Sequence, residues 1–198
     1  IMLFLHSHGV GTSRAVRIFK TYGADAVQVI SENPYRLARD IRGIGFKSAD
    51  QIASRLGIEK TAMIRARAGI SYALAEALDE GHCGLPTDEL RGLAAELLEI
   101  PAEVVDTALE LELAEGAVVA DQVDGRACVF LVGLYRAERG IAERLRRLTR
   151  GVPPWPAIDL EKAIPWVEQR TGLGLAKSQR AAVQLALASK VLVITGGP

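Results

Sequence analysis

Cysteine is nearly missing from this 198-residue chain, which holds only Cys83 and Cys128. Two thiols support neither a disulfide framework nor the paired spacing of a zinc site. The three histidines, His6, His8 and His82, add no ligand pattern to them. No apolar run approaches the roughly 20 residues that a membrane helix needs, and no signal-peptide pattern opens the chain. A reduced, cytoplasmic protein without a metal centre is the expectation. Net charge is lacking too, because 24 Lys/Arg offset 24 Asp/Glu.

That zero hides a pattern. Residues 1–60 carry 9 Lys/Arg against 5 Asp/Glu, whereas residues 81–124 carry a single Arg against 11 acids. Residues 125–151 turn basic again, with 7 Arg and 2 Glu. An acidic block between basic ones points different parts of the chain at different partners. The basic ends suit a polyanion and the middle does not. With 49% apolar residues the chain has ample material for one or two cores.

A repeat organises the basic start. GVGTSRAVRIFKTYG from Gly9 and GIGFKSADQIASRLG from Gly43 lie 34 residues apart and share glycines at 9/43, 11/45 and 23/57. Ala15/Ala49 and Ile18/Ile52 are also identical, and Val10 corresponds to Ile44. Each unit reads as a Gly-apolar-Gly turn, an amphipathic helix and a glycine stop. Asn33 and Pro34 read as N-cap and first residue of a helix in NPYRLARDI. The stretch ADAVQVISE then reads as a linker between two helix, hairpin, helix copies.

Downstream, residues 63–80 form a further helix that stops at Gly81. Thr87, followed by Asp88 and Glu89, reads as the cap of a helix to about Glu99. Pro101 opens another helix, to about Glu115. AVVADQ and RACVFL flank Asp124-Gly125 as a β-hairpin. A basic helix (YRAERGIAERLRRLTR) follows, then the proline-rich VPPWPA. Beyond it come helices at about 159–171 and 178–189 and a β-branched strand, VLVIT.

The paired glycines carry the chemistry. They allow a backbone with φ > 0 and a close approach by another backbone. The amides of the following helix N-terminus face outward, where the helix dipole favours an anion such as phosphate. HGVGTSRAVRIF, and RGIGFKSADQIA very closely, resemble the helix-hairpin-helix motif. The resemblance implies sequence-independent contact with the DNA backbone. Its contacts would be Gly9, Gly11, Ser13, Arg14 and Arg17 in the first unit, and Arg42, Gly43, Gly45, Lys47 and Ser48 in the second.

The order helix, helix, hairpin at 85–131 is that of a winged-helix unit. Its second helix, however, carries Glu103, Asp106, Glu110, Glu112 and Glu115 and no basic residue. Groove entry would press five carboxylates against phosphates. A spacer or protein-packing role is expected, with the acidic module facing the motor domain or another protein. The arginines at 136–150 could touch nucleic acid or pair with this acidic neighbour.

The end of the chain resembles the opening of a P-loop. A strand leads to Gly196, Gly197 and Pro198, where G-x-x-x-x-G-K-[ST] would begin. Gln179, near the start of the preceding helix, can read the N6/N7 edge of adenine with its amide. In this order, tandem hairpins, acidic module, KSQRAAV and VLVITGGP resemble the long form of the RecD-like superfamily one helicases. That resemblance implies a 5′→3′ DNA helicase driven by Mg²⁺ and ATP, with single-stranded or forked DNA as partner. Gln179, Gly196, Gly197 and Pro198 would be its nucleotide-binding residues. The P-loop Lys and Ser/Thr are absent, so ATP hydrolysis and tight cofactor binding by these residues alone are not expected. Both ends read as cuts in a longer protein.

The expected fold is mainly α. It comprises a tandem helix-hairpin-helix region at 1–62 and a winged-helix-like acidic module plus basic helix at 63–150. A linker at 151–158 leads to the start of a RecA-like α/β motor domain at 159–198. Two other readings remain open at this point: a free-standing structure-specific DNA-binding protein, and a protein-interaction scaffold with purely structural hairpins.

Overall fold

The computed structural model describes residues 1–196. It divides into two compact units, Ile1–Tyr135 and Arg136–Pro198. The first opens with helix α1 (Met2–Ser7), a tight turn, and α2 (Thr12–Tyr22). A 3-10 turn (Gly23–Asp25) and α3 (Ala26–Glu32) follow. Then α4 (Arg36–Asp40), a second tight turn and α5 (Phe46–Arg55) complete the repeat.

The stretch expected to be a linker is therefore helical. Ala26 and Ile30 lie four residues apart on one face of α3, and both are fully buried. The helix expected in NPYRLARDI is shorter than its signals. Asn33 Oδ1 does accept the Tyr35 amide at 3.0 Å, but the helix proper spans only Arg36–Asp40.

One core serves both repeats. It holds Val10, Ala15 and Ile18 from the first, Ile41, Ile44 and Ile52 from the second, and Leu5, Ile30 and Leu37 around them. The shared isoleucines Ile18 and Ile52 thus meet here, together with the equivalent Val10 and Ile44. A separate core takes the opposite face of α5, where Phe46, Ala49 and Ala53 pack with Ala66, Ile70 and Ala73 of α6 (Met63–Asp79). Tyr35, Phe46 and Tyr72 stack in series, with ring centroids 5.6 and 4.5 Å apart. Helix α5 is held between two cores, and with it the second hairpin.

From α6 the chain runs through strand β1 (Gly84–Pro86), α7 (Thr87–Leu98), α8 (Ala102–Ala114), β2 (Val118–Val123) and β3 (Arg126–Leu131). The sheet is antiparallel in the order β1-β3-β2. With α6 counted first, this is the winged-helix order. Asp124 (φ 50°) and Gly125 (φ 81°) make the hairpin turn between β2 and β3, both in the left-handed conformation that a two-residue turn of this kind requires. Strand β1 was not anticipated; its three residues carry no alternation of their own and exist by pairing with β3. Thr87 is the first helical residue of α7 rather than its cap, which is Pro86. Its hydroxyl donates instead to the Ala127 carbonyl at 3.1 Å, tying helix to sheet.

Helix α9 (Val132–Leu148) starts directly after β3. In the second unit, α10 (Leu160–Thr171) and α11 (Lys177–Ala188) match the expected helices. Trp155 Nε1 donates to the Leu187 carbonyl at 2.8 Å, anchoring the proline-rich segment on the end of α11. The expected strand VLVIT does not form. A strand requires a ladder partner, none pairs with it among the described residues, and Val193 and Ile194 are exposed. Among the described residues, no helix is long and apolar enough to cross a membrane.

Two tyrosines give the first unit an alkaline limit. The Tyr22 hydroxyl donates to Asp40 Oδ2 at 2.8 Å; burial first, and this bond second, push its phenol up to about 12. Tyr35 is raised as well, by burial and by its 2.6 Å bond to Asp50 Oδ1. Tyrosines of the unfolded chain ionise near about 10, so above that pH the unfolded state binds fewer protons than the folded one. Stability should therefore fall as pH rises from about 10 to about 12. Tyr22→Phe should flatten that fall, as denaturant midpoints measured across the window would reveal.

Candidate nucleic-acid interface

The two turns are built alike, and each uses its two glycines differently. Gly9 (φ 81°) and Gly43 (φ 87°) sit in the left-handed region that disfavours any other residue. Gly11 (φ −68°, ψ 156°) and Gly45 (φ −92°, ψ 177°) are extended, a conformation open to every residue. Only the first glycine of each pair thus answers to φ > 0. A Cβ added at Gly11 or Gly45 would meet nothing within 4 Å. Nothing inside the protein demands glycine there. What glycine leaves bare is the outer surface of the turn, free for something outside the protein to approach.

That surface consists of amides. Gly11 and Gly45 are the N-caps of α2 and α5, and neither cap supplies a side-chain acceptor. The first helical hydrogen bonds run from Arg14 and Ala15 to the Gly11 carbonyl, and from Ser48 and Ala49 to the Gly45 carbonyl. Among the described residues, the amides of Gly11, Thr12 and Ser13 have no acceptor, nor do those of Gly45, Phe46 and Lys47. Each set lies at the positive end of a helix dipole.

Of the side chains expected at the site, Lys47 stands at the second turn with its Nζ 5.9 Å from the Tyr72 ring centroid, and Ser48 follows it. Arg14 and Arg42 are exposed, and neither side chain has a partner among the described residues. Arg17 is engaged within the protein. Its Nη1 donates to the Arg42 carbonyl at 2.8 Å and its Nη2 to Ser13 Oγ at 3.3 Å, so it braces the second turn against α2. A Cβ on Gly43 would lie 2.9 Å from the same Nη1. Gly43→Ala should therefore cost about 1–2 kcal/mol in urea unfolding, through its positive φ.

Sequence reading missed Arg55. From the far end of α5 it lies against the first turn, so close that a Cβ on Gly9 would fall 1.5 Å from its Nη1. The repeat hid it, because position 55 corresponds to Thr21 and only the folded pairing of the two units brings it to Gly9.

The acidic module has part of its charge paired within the fold. Arg67 of α6 pairs with Glu112 at 2.6 Å and also with Glu115, while Arg91 of α7 holds Asp106 at 2.7 Å. Three of the five carboxylates on α8 and its C-cap, Glu115, are thus committed to neighbouring helices. Lys60 and Arg126 likewise pair with Glu99 and Glu89.

In the second unit Gln179 caps its own helix. Its Oε1 accepts the Ala176 amide at 2.9 Å; Ala176 has no acceptor to return the bond. The Nε2 of Gln179 donates no hydrogen bond among the described residues. Arg180 beside it pairs with Glu168 at 2.6 Å. Gly196 ends the described chain, and Gly197 and Pro198 lie outside the described residues. No group of three or more His, Cys, Asp or Glu among the described residues could hold a metal ion. Gln179 and Gly196 alone offer no phosphate cradle, and no step through ATP follows from them.

Residues 1–84 match the domain family described as the ATP-dependent RecD2 DNA helicase HHH domain, HHH denoting helix-hairpin-helix. This region is a RecD-like helix-hairpin-helix region. An ATP-dependent RecD2 DNA helicase from Deinococcus radiodurans is 29% identical over 206 aligned positions, which take in 98% of this chain. The chain spans 28% of the length of that relative. The match to the RecD-like domain family covers both turns, α6 and the beginning of β1.

Proposed function

We propose that this chain is the DNA-binding N-terminal region of an ATP-dependent 5′→3′ DNA helicase, and that it grips the backbone of single-stranded or forked DNA without reading sequence. One observation carries the reading: two turns on one shared core each present three unpaired amides behind a glycine that the fold itself does not require. Amides on a helix N-terminus suit phosphate oxygens and carry no base information.

Gly11, Ser13 and Arg14 form the first grip; Gly45, Lys47 and Ser48 form the second, with Arg42 beside it. Arg17, Gly9 and Gly43 hold the turns in shape. The helicase reading draws on the likeness to the RecD2 relative. ATP and Mg²⁺ would act in a RecA-like motor, to whose nucleotide edge Gln179, Gly196, Gly197 and Pro198 belong. The acidic module, with its carboxylates tied to α6 and α7, is a spacer that presents little to DNA.

Fluorescence anisotropy with labelled oligonucleotides tests the grip. Lys47→Glu should weaken binding and reduce the steepness of the salt dependence by about 0.9, one phosphate's share on duplex DNA. Identical titrations for variant and parent would make the second turn merely structural.

A further inference from the structure

Resting on that DNA reading, a second kind of phosphate contact lies between the motifs rather than on either turn. Two arginines border one notch at the junction of the units: Arg14 from α2 and Arg55 from α5. His8, Ser48 and Gln51 complete its polar wall, Val10 and Ile44 its floor. Neither guanidinium makes a hydrogen bond or ion pair among the described residues, and no carboxylate lines the notch. Arg42 apart, the other arginines named in this unit are spent internally. Arg17, Arg65, Arg67, Arg91 and Arg126 all have partners.

Two like charges facing one space without a counter-charge repel each other, and an anion between them removes that cost. A guanidinium offers five donors in a planar fork suited to phosphate oxygens, and both forks here are unused. Gly9 is what admits Arg55, since any side chain there would collide with its Nη1. Size selects the ligand. The cavity holds about 20 Å³, room for one water-sized atom but not for a nucleotide or a whole phosphate.

We propose that Arg14 and Arg55 jointly hold one phosphate oxygen of a passing DNA strand in this notch, a contact distinct from the amides of either turn. The first turn then depends on the second motif for part of its grip. The two hairpins act as one clamp.

Salt titration of the 198-residue chain on a forked oligonucleotide tests this with Arg14→Ala, Arg55→Ala and the double variant. Both side chains are exposed and unpartnered, so melting temperatures should stay parental. The double variant should lose one phosphate's share of the slope, about 0.9. A loss near 1.8 would mean two separate phosphates, and no loss would mean no contact; either overturns the shared notch. Inorganic phosphate at matched ionic strength should displace no more DNA than chloride does. Phosphate-specific displacement would make the notch a free-anion site and overturn its assignment to a strand. If the parent binds no DNA even at low salt, the underlying DNA reading fails. If the parent binds and the double variant matches it, the notch fails and Arg14 leaves the first grip, while the reading of the turn amides stands.

Discussion

Serine in place of both Gly11 and Gly45 should lower DNA affinity roughly a hundredfold while leaving the protein as stable as before or slightly more so. The two effects separate because the fold asks nothing of these glycines. Both have extended backbones, and an added Cβ enters open space. Serine is a preferred N-cap, and its hydroxyl accepts an amide of the first helical turn. It also restricts the unfolded chain more than glycine does. Stability should therefore hold or rise by a few tenths of a kcal/mol.

The same hydroxyl occupies an amide that the phosphate would use, and its bulk stands where the strand must approach. A hydrogen bond to a charged group contributes about 1.5–3 kcal/mol, so each turn accounts for roughly tenfold or more. Anisotropy titrations beside thermal melts read both quantities. Parental affinity in the double variant would remove the amides from the interface.

Arg65→Ala should bring the largest loss of stability. Arg65 is only 9% exposed, yet it carries a full charge into the seam between α5, α6 and α7. Its Nε and Nη2 grip both oxygens of Asp50, at 2.8 and 3.0 Å. Its Nη1 donates to the carbonyls of Lys60 and Leu98, at 2.9 and 2.8 Å. Asp50 in turn accepts the Tyr35 hydroxyl. One side chain thus joins the hairpin-bearing helix to the acidic module.

Removing it leaves a carboxylate without its counter-ion and two carbonyls without donors. Breaking such a pair costs about 3–5 kcal/mol. Asp50 keeps about a quarter of its side-chain surface exposed, which favours the lower figure. A loss of about 3 kcal/mol corresponds to a melting temperature lower by roughly 10 °C. A change within about 0.5 kcal/mol, the size of an ordinary surface substitution, would show that the seam does not depend on this pair.

The repeat was legible because its residues do their work locally. Gly-apolar-Gly, Ala and Ile recur at fixed offsets; Val10, Ala15, Ile18, Ile44 and Ile52 among them fill the shared core, and Ala49 enters the neighbouring one. Asp124-Gly125 announced its turn for an equally local reason, since both residues must take positive φ. What could not be read was made by pairing at a distance. Strand β1 exists because β3 lies beside it, and Thr87 gave up its capping role for a carbonyl 40 residues away. The sequence placed Arg17 among the DNA contacts and gave no sign of Arg55. The fold gave the first a carbonyl to hold and left the second empty-handed over Gly9. VLVIT failed for the converse reason: β-branched composition makes a strand only where a neighbour completes the ladder.

The most direct single test is the slope of log Kobs against log salt concentration for the parental chain on a forked oligonucleotide of arbitrary sequence. Two turns that each engage at least one phosphate predict a negative slope of magnitude about 1.8 or more, unchanged when the sequence is scrambled. A flat line, or no complex in the most dilute buffer, would contradict the account.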